Sequence, residues 1–367
     1  MNSDRTKEKI VTQSPGRTCL FGDHQDYLGL PVIACAIDRH IKLVATLNTT
    51  RELVINKPDI NEKRILAIDD EISQVSKGDH LLAALKILQG YDCIPHVGYD
   101  ITISGNVAIN AGISSSSAVV VAWIQFLIEA YGCNVPVSRE LISQIAYEAE
   151  VTFHGAPGGK MDQYAIGLGN IIYLETGDSL SYEMIKKPLP GLIVGESGIP
   201  KQTTGVLREL KENALLAIHK VKERVPNFEV GDLDINDLSK YLNYVPDNLK
   251  IFFEAAIINH DITKRALVEF KMSTLDLKQI GTLMNEHHHI LKDYLHITVP
   301  KIDDMINGAL HAGALGAKIV GSGRGGSIVV LSKDGEQQKV VDALLKAGAK
   351  DAYPVNVDQG IKIIESE

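Results

Sequence analysis

The segment that most constrains the fold of this chain is INAGISSSSAVVVAWIQFLIEAYG, residues 109–132. Gly112 permits a tight backbone turn, four serines follow, and an unbroken apolar pattern then predicts a helix from Ser116 to Tyr131. Backbone N–H groups and serine hydroxyls would lie at the N-terminus of that helix, where the helix dipole favours an anion such as a triphosphate. Serine is also a preferred helix cap, so a cap without a ligand remains an alternative interpretation of this segment alone.

The length and charge of the chain limit the class of protein. A chain of 367 residues is longer than a domain with one ordinary hydrophobic core, which favours two closely packed domains with a cleft. Hydrophobic residues at 45% and charged residues at 23% are typical of a soluble globular protein. A net charge of -9 argues against a general nucleic-acid binder, because it offers no basic face to a polyanion, although backbone amides could still hold a small anion.

The cysteines and the apolar runs indicate a cytoplasmic protein without a membrane segment. The four cysteines are far apart and form no CxxC pair, so we expect reduced, mostly buried thiols. The sequence MNSDRTKEKI lacks the apolar core of a signal peptide. The longest apolar run, residues 118–128, is interrupted by Gln125 and is too short to span a bilayer.

The order of predicted elements indicates an α+β fold. Short β-branched runs predict strands at 10–22, 32–37, 41–47, 96–105, 170–174, 192–195, 317–321, 327–332 and 355–364. Apolar residues at helical spacing predict helices at 138–152, 205–224, 235–244, 248–270, 275–295 and 336–347. A joint at 175–190, rich in Gly, Ser, Pro and Lys, separates an N-terminal domain at 1–180 from a C-terminal domain at 190–367. We expect the active site in the cleft between these two domains.

A second glycine cluster, VGSGRGGSIVVL at 320–331, contains GxGxxG through Gly321, Gly323 and Gly326. A dinucleotide fingerprint must open a helix, whereas this cluster continues directly into an apolar strand pattern. The cluster is therefore a glycine loop between two strands, which either approaches a phosphate closely or forms a simple turn. A P-loop is also excluded, because the nearest approach to it, at Lys160, has Met161 where a hydroxyl is required.

Two further segments concentrate polar side chains on loops. In HGAPGGKMDQYA, residues 154–165, Asp162 follows a loop with three glycines, which suits a carboxylate that accepts a proton from a hydroxyl nucleophile. An Asp that only stabilises a turn is the alternative. Upstream, one of Glu148 and Glu150 could bind a hard cation, unless both are solvated helix-end carboxylates.

The loop near the N-terminus would suit a ligand with many hydroxyl groups. The segment at 14–38 places Arg17, Asp23, His24 and Asp26 within a short stretch, although turn formation explains part of that density. In contrast, the consecutive residues His287, His288 and His289 point in different directions on a helix and do not predict a metal site.

The four segments, in this order, resemble the signature of the GHMP kinases, which are named for galactokinase, homoserine, mevalonate and phosphomevalonate kinases. The resembling stretches are SPGRTCLFGDHQDYLG, INAGISSSSA, GGKMDQYA and KIVGSGRGGSIVVL, and the galactokinase branch is the most similar. The resemblance implies the two-domain GHMP kinase fold and an ATP-dependent sugar kinase. The acceptor that it implies is the C1 hydroxyl of D-galactose.

By that resemblance, Asp162 is the catalytic carboxylate and Arg17 is its partner, and Ser116 and Glu150 hold Mg²⁺. The implied nucleotide-binding residues are Asn110, Ala111, Gly112, Ile113, Ser114, Ser115, Ser116, Ser117 and Gly323. The implied sugar-binding residues are Asp23, His24, Asp26, Gly159 and Asp162.

The chain departs from the galactokinase pattern at several positions. Galactokinases usually carry Glu at the position of Asp23, Cys near Gly158 and near Ser327, and a GSEYN-type segment where this chain has SGIPKQTTGVL at 197–207. That last segment is more similar to mevalonate kinases. Arabinose, glucuronate, heptose-phosphate and mevalonate kinases therefore stay open as alternatives, with a non-catalytic sugar or ATP sensor as a third class. A monomer and a homodimer fit the sequence equally.

Overall fold

The computed structural model describes residues 6–177, 179–201 and 204–367. Gln202 and Thr203, which belong to the segment 197–207, lie outside the described residues. Over the described part, the chain forms two β-sheets with helices packed against both, which confirms the predicted α+β class.

The larger sheet is built mainly from the first half of the chain. Its strands are β1 (Lys9–Phe21), β2 (Val32–Leu47), β3 (Glu52–Lys57), β4 (Glu62–Ala67), β5 (Tyr99–Gly105), β6 (Ile171–Glu175) and β7 (Ser181–Ile185), joined by β12 (Lys362–Ser366). The main order is β12-β1-β2-β5-β3-β4, and β6 pairs with both β2 and β7. β3 and β5 run parallel, whereas the other pairs are antiparallel.

The predicted strands at 32–37 and 41–47 are wrong as separate elements, because β2 is continuous through the polar residues between them. Pairing with β1 runs along its whole length, and a register shift between Pro15 and Gly16 absorbs the irregularity. The predicted strand at 355–364 is also too long. In this segment only an isolated bridge at Val357 precedes β12.

The N-terminal half has the helices α1 (His80–Gln89), α2 (Ser115–Tyr131), α3 (Arg139–Tyr147) and α4 (Met161–Leu168). α2 and α4 pack directly on the larger sheet, and α1 and α3 pack on these helices. α2 begins one residue before the predicted position, and its apolar side chains are buried almost all round, including Trp123. After α3 the chain makes one π-helical turn, Glu148–Thr152, which turns the side chain of Glu150 inward. π-Helical turns are frequent at functional sites.

The smaller sheet has the order β11-β8-β10-β9. Its strands are β8 (Leu192–Glu196), β9 (Gly316–Val320), β10 (Ser327–Leu331) and β11 (Asp351–Pro354). The helices of this half are α5 (Thr204–Lys222), α6 (Leu238–Leu242), α7 (Asp247–Lys271), α8 (Leu277–His289), α9 (Pro300–His311) and α10 (Gln337–Lys346). The sequence prediction missed α1, α4 and α9 and the strands β3, β4, β7 and β11. The helices predicted at 235–244 and 275–295 correspond to α6 with a preceding 3-10 turn, Ile235–Asp237, and to α8 with a following π-helical turn, Ile290–Tyr294.

The sheets do not follow the predicted domain boundaries residue by residue. β7 lies within the expected joint at 175–190 but pairs with β6, and β12 returns from the C-terminal half to pair with β1. The glycine loop between β9 and β10 packs on the loop before α2, where Gly321 and Gly112 come into close contact. This contact brings two of the predicted motifs to one cleft. None of the described helices is both long and apolar enough to cross a membrane.

Candidate active site

The loop between β5 and α2 has the backbone geometry of an anion cradle. Asn110, Gly112 and Ser114 have φ values of 56°, 86° and 60°, alternating with residues of ordinary conformation. Such alternation directs successive N–H groups to one point. Gly112 cannot be replaced without strain, since a β-carbon there would also lie 3.0 Å from the carbonyl oxygen of Val320. Ser114 occupies the helix-cap position, yet its side chain makes no capping hydrogen bond within the described structure.

A cavity of about 530 Å³ opens above this loop. Six of the nucleotide-binding residues predicted from the sequence line this cavity: Asn110, Ala111, Gly112, Ser114, Ser115 and Ser116. Apolar side chains from β2, β5 and α2 also line it, including Ile41, Ile103 and Val119. An apolar slot that ends on an anion cradle suits a purine nucleotide. Ile113 has no exposed surface, and its backbone oxygen accepts a hydrogen bond from the Arg17 N–H at 3.1 Å.

A second cavity of about 430 Å³ adjoins the first. The predicted catalytic, sugar and metal residues on its wall are Arg17, Asp23, His24, Asp26, Gly159, Asp162, Ser116 and Glu150, together with Ser117. Five residues line both cavities: Lys77, Gly78, His80, Ser116 and Lys201. A group transferred from a ligand in the first cavity to a ligand in the second would pass these five residues.

Arg17 and Asp162 form the central ion pair of the second cavity. The Nη2 and Nε atoms of Arg17 lie 2.7 and 2.8 Å from Oδ1 of Asp162, and Nη1 donates to the Gly112 carbonyl at 2.5 Å. Ser114 donates from its hydroxyl to Oδ2 of Asp162. The carboxylate of Asp162 is thus fixed to the strand β1 on one side and to the loop before α2 on the other.

Two carboxylates of this cavity, Asp162 and Asp26, have pKa values displaced in opposite directions. Burial opposes ionisation of Asp162, but the charge of Arg17, the Ser114 hydrogen bond and the charge of Lys201 outweigh it and lower its pKa. For Asp26, burial and the charge of Asp162 raise the pKa to about 6. Separation of two carboxyl pKa values by their environments is characteristic of functional sites.

The donor set around Glu150 fits a hard cation. Gln163 donates to Oε2 of Glu150 at 2.6 Å, and His80 Nδ1 lies 3.5 Å from Oε1. Ser116 adds a hydroxyl oxygen at the wall shared by the two cavities. Oxygen donors of these kinds suit Mg²⁺, which normally keeps waters and substrate phosphates as further ligands. Within the described residues, no three His, Cys, Asp or Glu side chains converge on one metal position.

Asp23 lies on the wall of the second cavity, but protein groups already engage its carboxylate. Its side chain is 1% exposed, Oδ2 lies 2.5 Å from Lys318 Nζ, and Oδ1 accepts from the Gly321 N–H at 3.0 Å. Burial opposes ionisation, but Lys318 holds the pKa of Asp23 at about 2. Both carboxylate oxygens therefore already accept hydrogen bonds from protein donors, although Asp23 lines the second cavity.

His24 and Gly159 both line the second cavity. The Nδ1 atom of His24 lies 3.0 Å from the Tyr27 hydroxyl, while its buried Nε2 has no partner in the described structure. Burial lowers the pKa of His24 to about 4, so the ring is neutral at neutral pH. Any β-carbon on Gly159 would overlap the Asp26 carboxylate, which explains the glycine at this position.

Gly323 lines neither cavity, so its predicted nucleotide-binding role has no support in its position. Its φ is 83°, and a β-carbon there would lie 2.5 Å from the β-carbon of Ile297. A glycine is therefore required here because the backbone of Gly323 packs closely against Ile297.

Sequence reasoning missed several cationic residues of the site: Lys77, His80, His154, Lys201 and Arg208 all line the second cavity. The only signal for Lys201 was its place in the segment 197–207, which departs from the galactokinase pattern. The others lie in loops or helices with no distinctive spacing.

Three family models match the chain. The GHMP kinases N terminal domain matches residues 44–170, the GHMP kinases C terminal domain matches residues 265–350, and the galactokinase galactose-binding signature matches residues 3–46. The last of these ranges contains Arg17, Asp23, His24 and Asp26.

Full-length relatives include enzymes of two specificities. A galactokinase of Pyrococcus furiosus is 27% identical, covering 92% of this chain and 93% of that protein. A mevalonate kinase of Thermococcus sibiricus is 24% identical, covering 97% and 98%. Among solved structures, Lactococcus lactis galactokinase complexed with galactose superimposes with a TM-score of 0.85 at 23% identity, covering 97% of this chain and 95% of that one.

Proposed function

Because this chain belongs to the GHMP kinase family, we propose that it transfers the γ-phosphoryl group of ATP to the C1 hydroxyl of D-galactose, giving the sugar 1-phosphate and ADP. One observation carries this proposal. A nucleotide-sized cavity above an anion cradle adjoins a second cavity that holds the Arg17–Asp162 pair. The galactose-binding signature covers the strand β1 and the loop after it, which supply Arg17, His24 and Asp26 to that second cavity.

Asp162 orients the acceptor hydroxyl and takes its proton. Its lowered pKa keeps it ionised at neutral pH but makes it a weak base. A weak base suffices when the phosphoryl group moves through a loose transition state, since the nucleophile then loses its proton late and positioning supplies much of the rate. Arg17 and Ser114 restrict the carboxylate to one orientation.

Glu150 and Ser116 would hold Mg²⁺ beside the phosphate loop. When bound, the ion would neutralise charge on the β- and γ-phosphates. The Gln163 hydrogen bond fixes the orientation of the Glu150 carboxylate for this task.

The sugar-binding end of the cavity favours a neutral sugar. Asp26 lies beside Gly159 and Asp162, where its carboxylate can accept hydrogen bonds from ring hydroxyls. An axial C4 hydroxyl bound in this way distinguishes galactose from glucose, because the epimer leaves a buried acceptor unpaired. His24 is neutral and offers no counter-charge to a uronic acid.

The assignment is tested by measuring ADP release with D-galactose, L-arabinose, D-glucose, D-galacturonate, a heptose phosphate and mevalonate. We expect the highest kcat/KM for D-galactose. A lead of roughly tenfold for mevalonate, about 1.4 kcal/mol in transition-state binding, would replace galactokinase by the second candidate that the full-length mevalonate kinase relatives favour. ATP and sugar binding without any turnover would favour the sensor.

A further inference from the structure

The segment that follows β8 is fixed between the two glycine-containing loops of the cleft. Gly326 donates its N–H to the Ile199 carbonyl at 2.8 Å, and Ser197 donates its N–H to the Gly326 carbonyl at 2.9 Å. Lys201 donates its backbone N–H to the carbonyl of Asn110 at 3.3 Å. The backbone of Lys201 is therefore attached to the phosphate loop, although it belongs to the other half of the chain.

The side chain of Lys201 lies where the two cavities meet, since it lines both of them. It is half-buried, and no carboxylate forms an ion pair with it among the described residues. Burial lowers its pKa, while the nearby charges of Asp162 and Glu150 raise it and that of Arg17 lowers it. Lys201 is thus close to the catalytic carboxylate and to the candidate magnesium ligand at once.

Arg17, the cation paired with Asp162, is already engaged. Arg17 directs Nε and Nη2 at Asp162 and Nη1 at the Gly112 carbonyl, so its charge is balanced by a protein carboxylate. A phosphoryl group in transfer carries negative charge on its three equatorial oxygens and needs a positive donor directed at it. Lys77 also lines the junction but is exposed, which weakens its electrostatic effect.

We propose that Lys201 is a further catalytic residue, whose ammonium group binds the γ-phosphoryl group of ATP and stabilises its charge during transfer. In this step the bond from the γ-phosphorus to the ADP oxygen breaks, a bond to the acceptor oxygen forms, and the acceptor proton passes to Asp162. Lys201 keeps its protons throughout and donates hydrogen bonds. The proposal rests on phosphoryl transfer by this chain, but not on which sugar accepts the group.

The test compares Lys201→Met and Lys201→Arg with Lys77→Met and with Lys211→Met. Lys211 is a matched control, because it is also half-buried near the site but lines neither of the two cavities. We expect Lys201→Met to lower kcat by about 10²–10³-fold with acceptor KM changed less than about threefold, as for loss of a charge-stabilising donor. Lys201→Arg should recover part of kcat, and Lys211→Met should match wild type.

A second measurement needs no acceptor. Calorimetric titration with the magnesium complexes of ADP and of β,γ-imido-ATP should show that Lys201→Met loses about tenfold affinity for the triphosphate analogue only, since a charge-assisted contact is lost. Loss of both affinities with a lower Tm would mean a structural role and would overturn the proposal. So would a larger defect in Lys77→Met than in Lys201→Met.

The two measurements separate this inference from the sugar assignment. If wild type prefers an acceptor other than D-galactose, the kinetic comparison is made with that acceptor. If wild type phosphorylates none of the panel, equal affinities of Lys201→Met and wild type for the imido analogue still refute the role of Lys201.

Discussion

Asp23 and Lys318 form an ion pair at 2.5 Å whose two side chains are 1% and 0% exposed. Lys318 Nζ also donates to the Cys19 carbonyl at 2.9 Å, and Asp23 accepts from the Gly321 N–H at 3.0 Å. The pair therefore ties the end of β1 to the strand β9 and to the glycine loop beyond it. Two loops of the cleft are held together by one buried charge pair.

Removal of one member of this pair should be costly. Lys318→Met leaves Asp23 buried and uncompensated, so we expect the free energy of unfolding to fall by about 3–5 kcal/mol. The double variant Asp23→Asn/Lys318→Met should recover much of that loss, because no unpaired charge remains. Denaturant unfolding of wild type, Asp23→Asn, Lys318→Met and the double variant measures the coupling, and equal losses in Lys318→Met and the double variant would contradict it.

The same pair predicts a loss of stability in acid. The pKa of Asp23 is lowered to about 2 in the folded protein, below the unfolded value of about 3.9. Its contribution is thus complete above pH 4 and is lost as the pH falls through 2. In Asp23→Asn the corresponding part of the acid transition should be missing, which urea titrations at pH 2–5 would detect.

By the resemblance to galactokinases, Asp23 stands where a longer Glu would reach the C6 hydroxyl of the sugar. Because Lys318 engages Asp23, we expect weak selection at C6. A site that hydrogen-bonds a substrate hydroxyl rejects the deoxy analogue by about 10⁴-fold or more. Since both oxygens of Asp23 bind protein donors, we expect 6-deoxy-D-galactose to retain kcat/KM within about tenfold of D-galactose. A loss beyond a hundredfold would show that the C6 hydroxyl has a partner after all.

The Arg17–Asp162 pair could be predicted from the sequence, whereas the Lys318–Asp23 pair could not. Both pairs join distant residues, 145 and 295 positions apart. Arg17 and Asp162 each lie in a motif whose residue types already indicate a chemical role. Lys318 lies in an apolar strand pattern, where nothing local tells a buried lysine from a solvated one; only the pairing of the two halves reveals its partner.

The same dependence on tertiary structure explains the differences between prediction and structure at Lys201 and Gly323. The segment 197–207 contains a lysine but no catalytic spacing, and only tertiary hydrogen bonds bring Lys201 to Asn110. Gly323 matches a glycine motif, yet the φ value and the Ile297 contact that require it become visible only in three dimensions. Residue type and order predicted the lobes and the catalytic pair, while side-chain direction decided which motif residues reach the cavities.

Asp26 should affect activity and stability in opposite directions. Its folded pKa of about 6 exceeds the unfolded value of about 3.9, so its ionisation above pH 6 destabilises the fold. Asp26→Asn should therefore raise the free energy of unfolding at pH 7.5 by on the order of 2 kcal/mol and lower kcat/KM for the sugar. In wild type, kcat/KM should decline below pH 6, as the carboxylate that accepts sugar hydroxyls becomes protonated.

Asp162→Asn keeps the shape of the side chain but removes its basicity and its charge. We expect kcat to fall by about 10²–10⁴-fold while the affinity for ATP stays within about threefold, because Asp162 lines only the acceptor cavity. Single-turnover phosphorylation and nucleotide titration test the two parts separately. Turnover like that of wild type would exclude Asp162 as the proton acceptor.

Gly112 and Gly323 lie in similar glycine motifs, but we expect their replacement to have different effects on stability and on ATP binding. Gly323→Ala forces a β-carbon to within 2.5 Å of Ile297 at a φ of 83°, so it should lower the free energy of unfolding by about 1–3 kcal/mol and leave the affinity for ATP unchanged. Gly112→Ala, at a φ of 86° in the anion cradle, should weaken ATP binding as well, since its backbone lines the nucleotide cavity. Urea unfolding and nucleotide titration of both variants decide the matter. A selective loss of ATP affinity in Gly323→Ala would return this glycine to the nucleotide site.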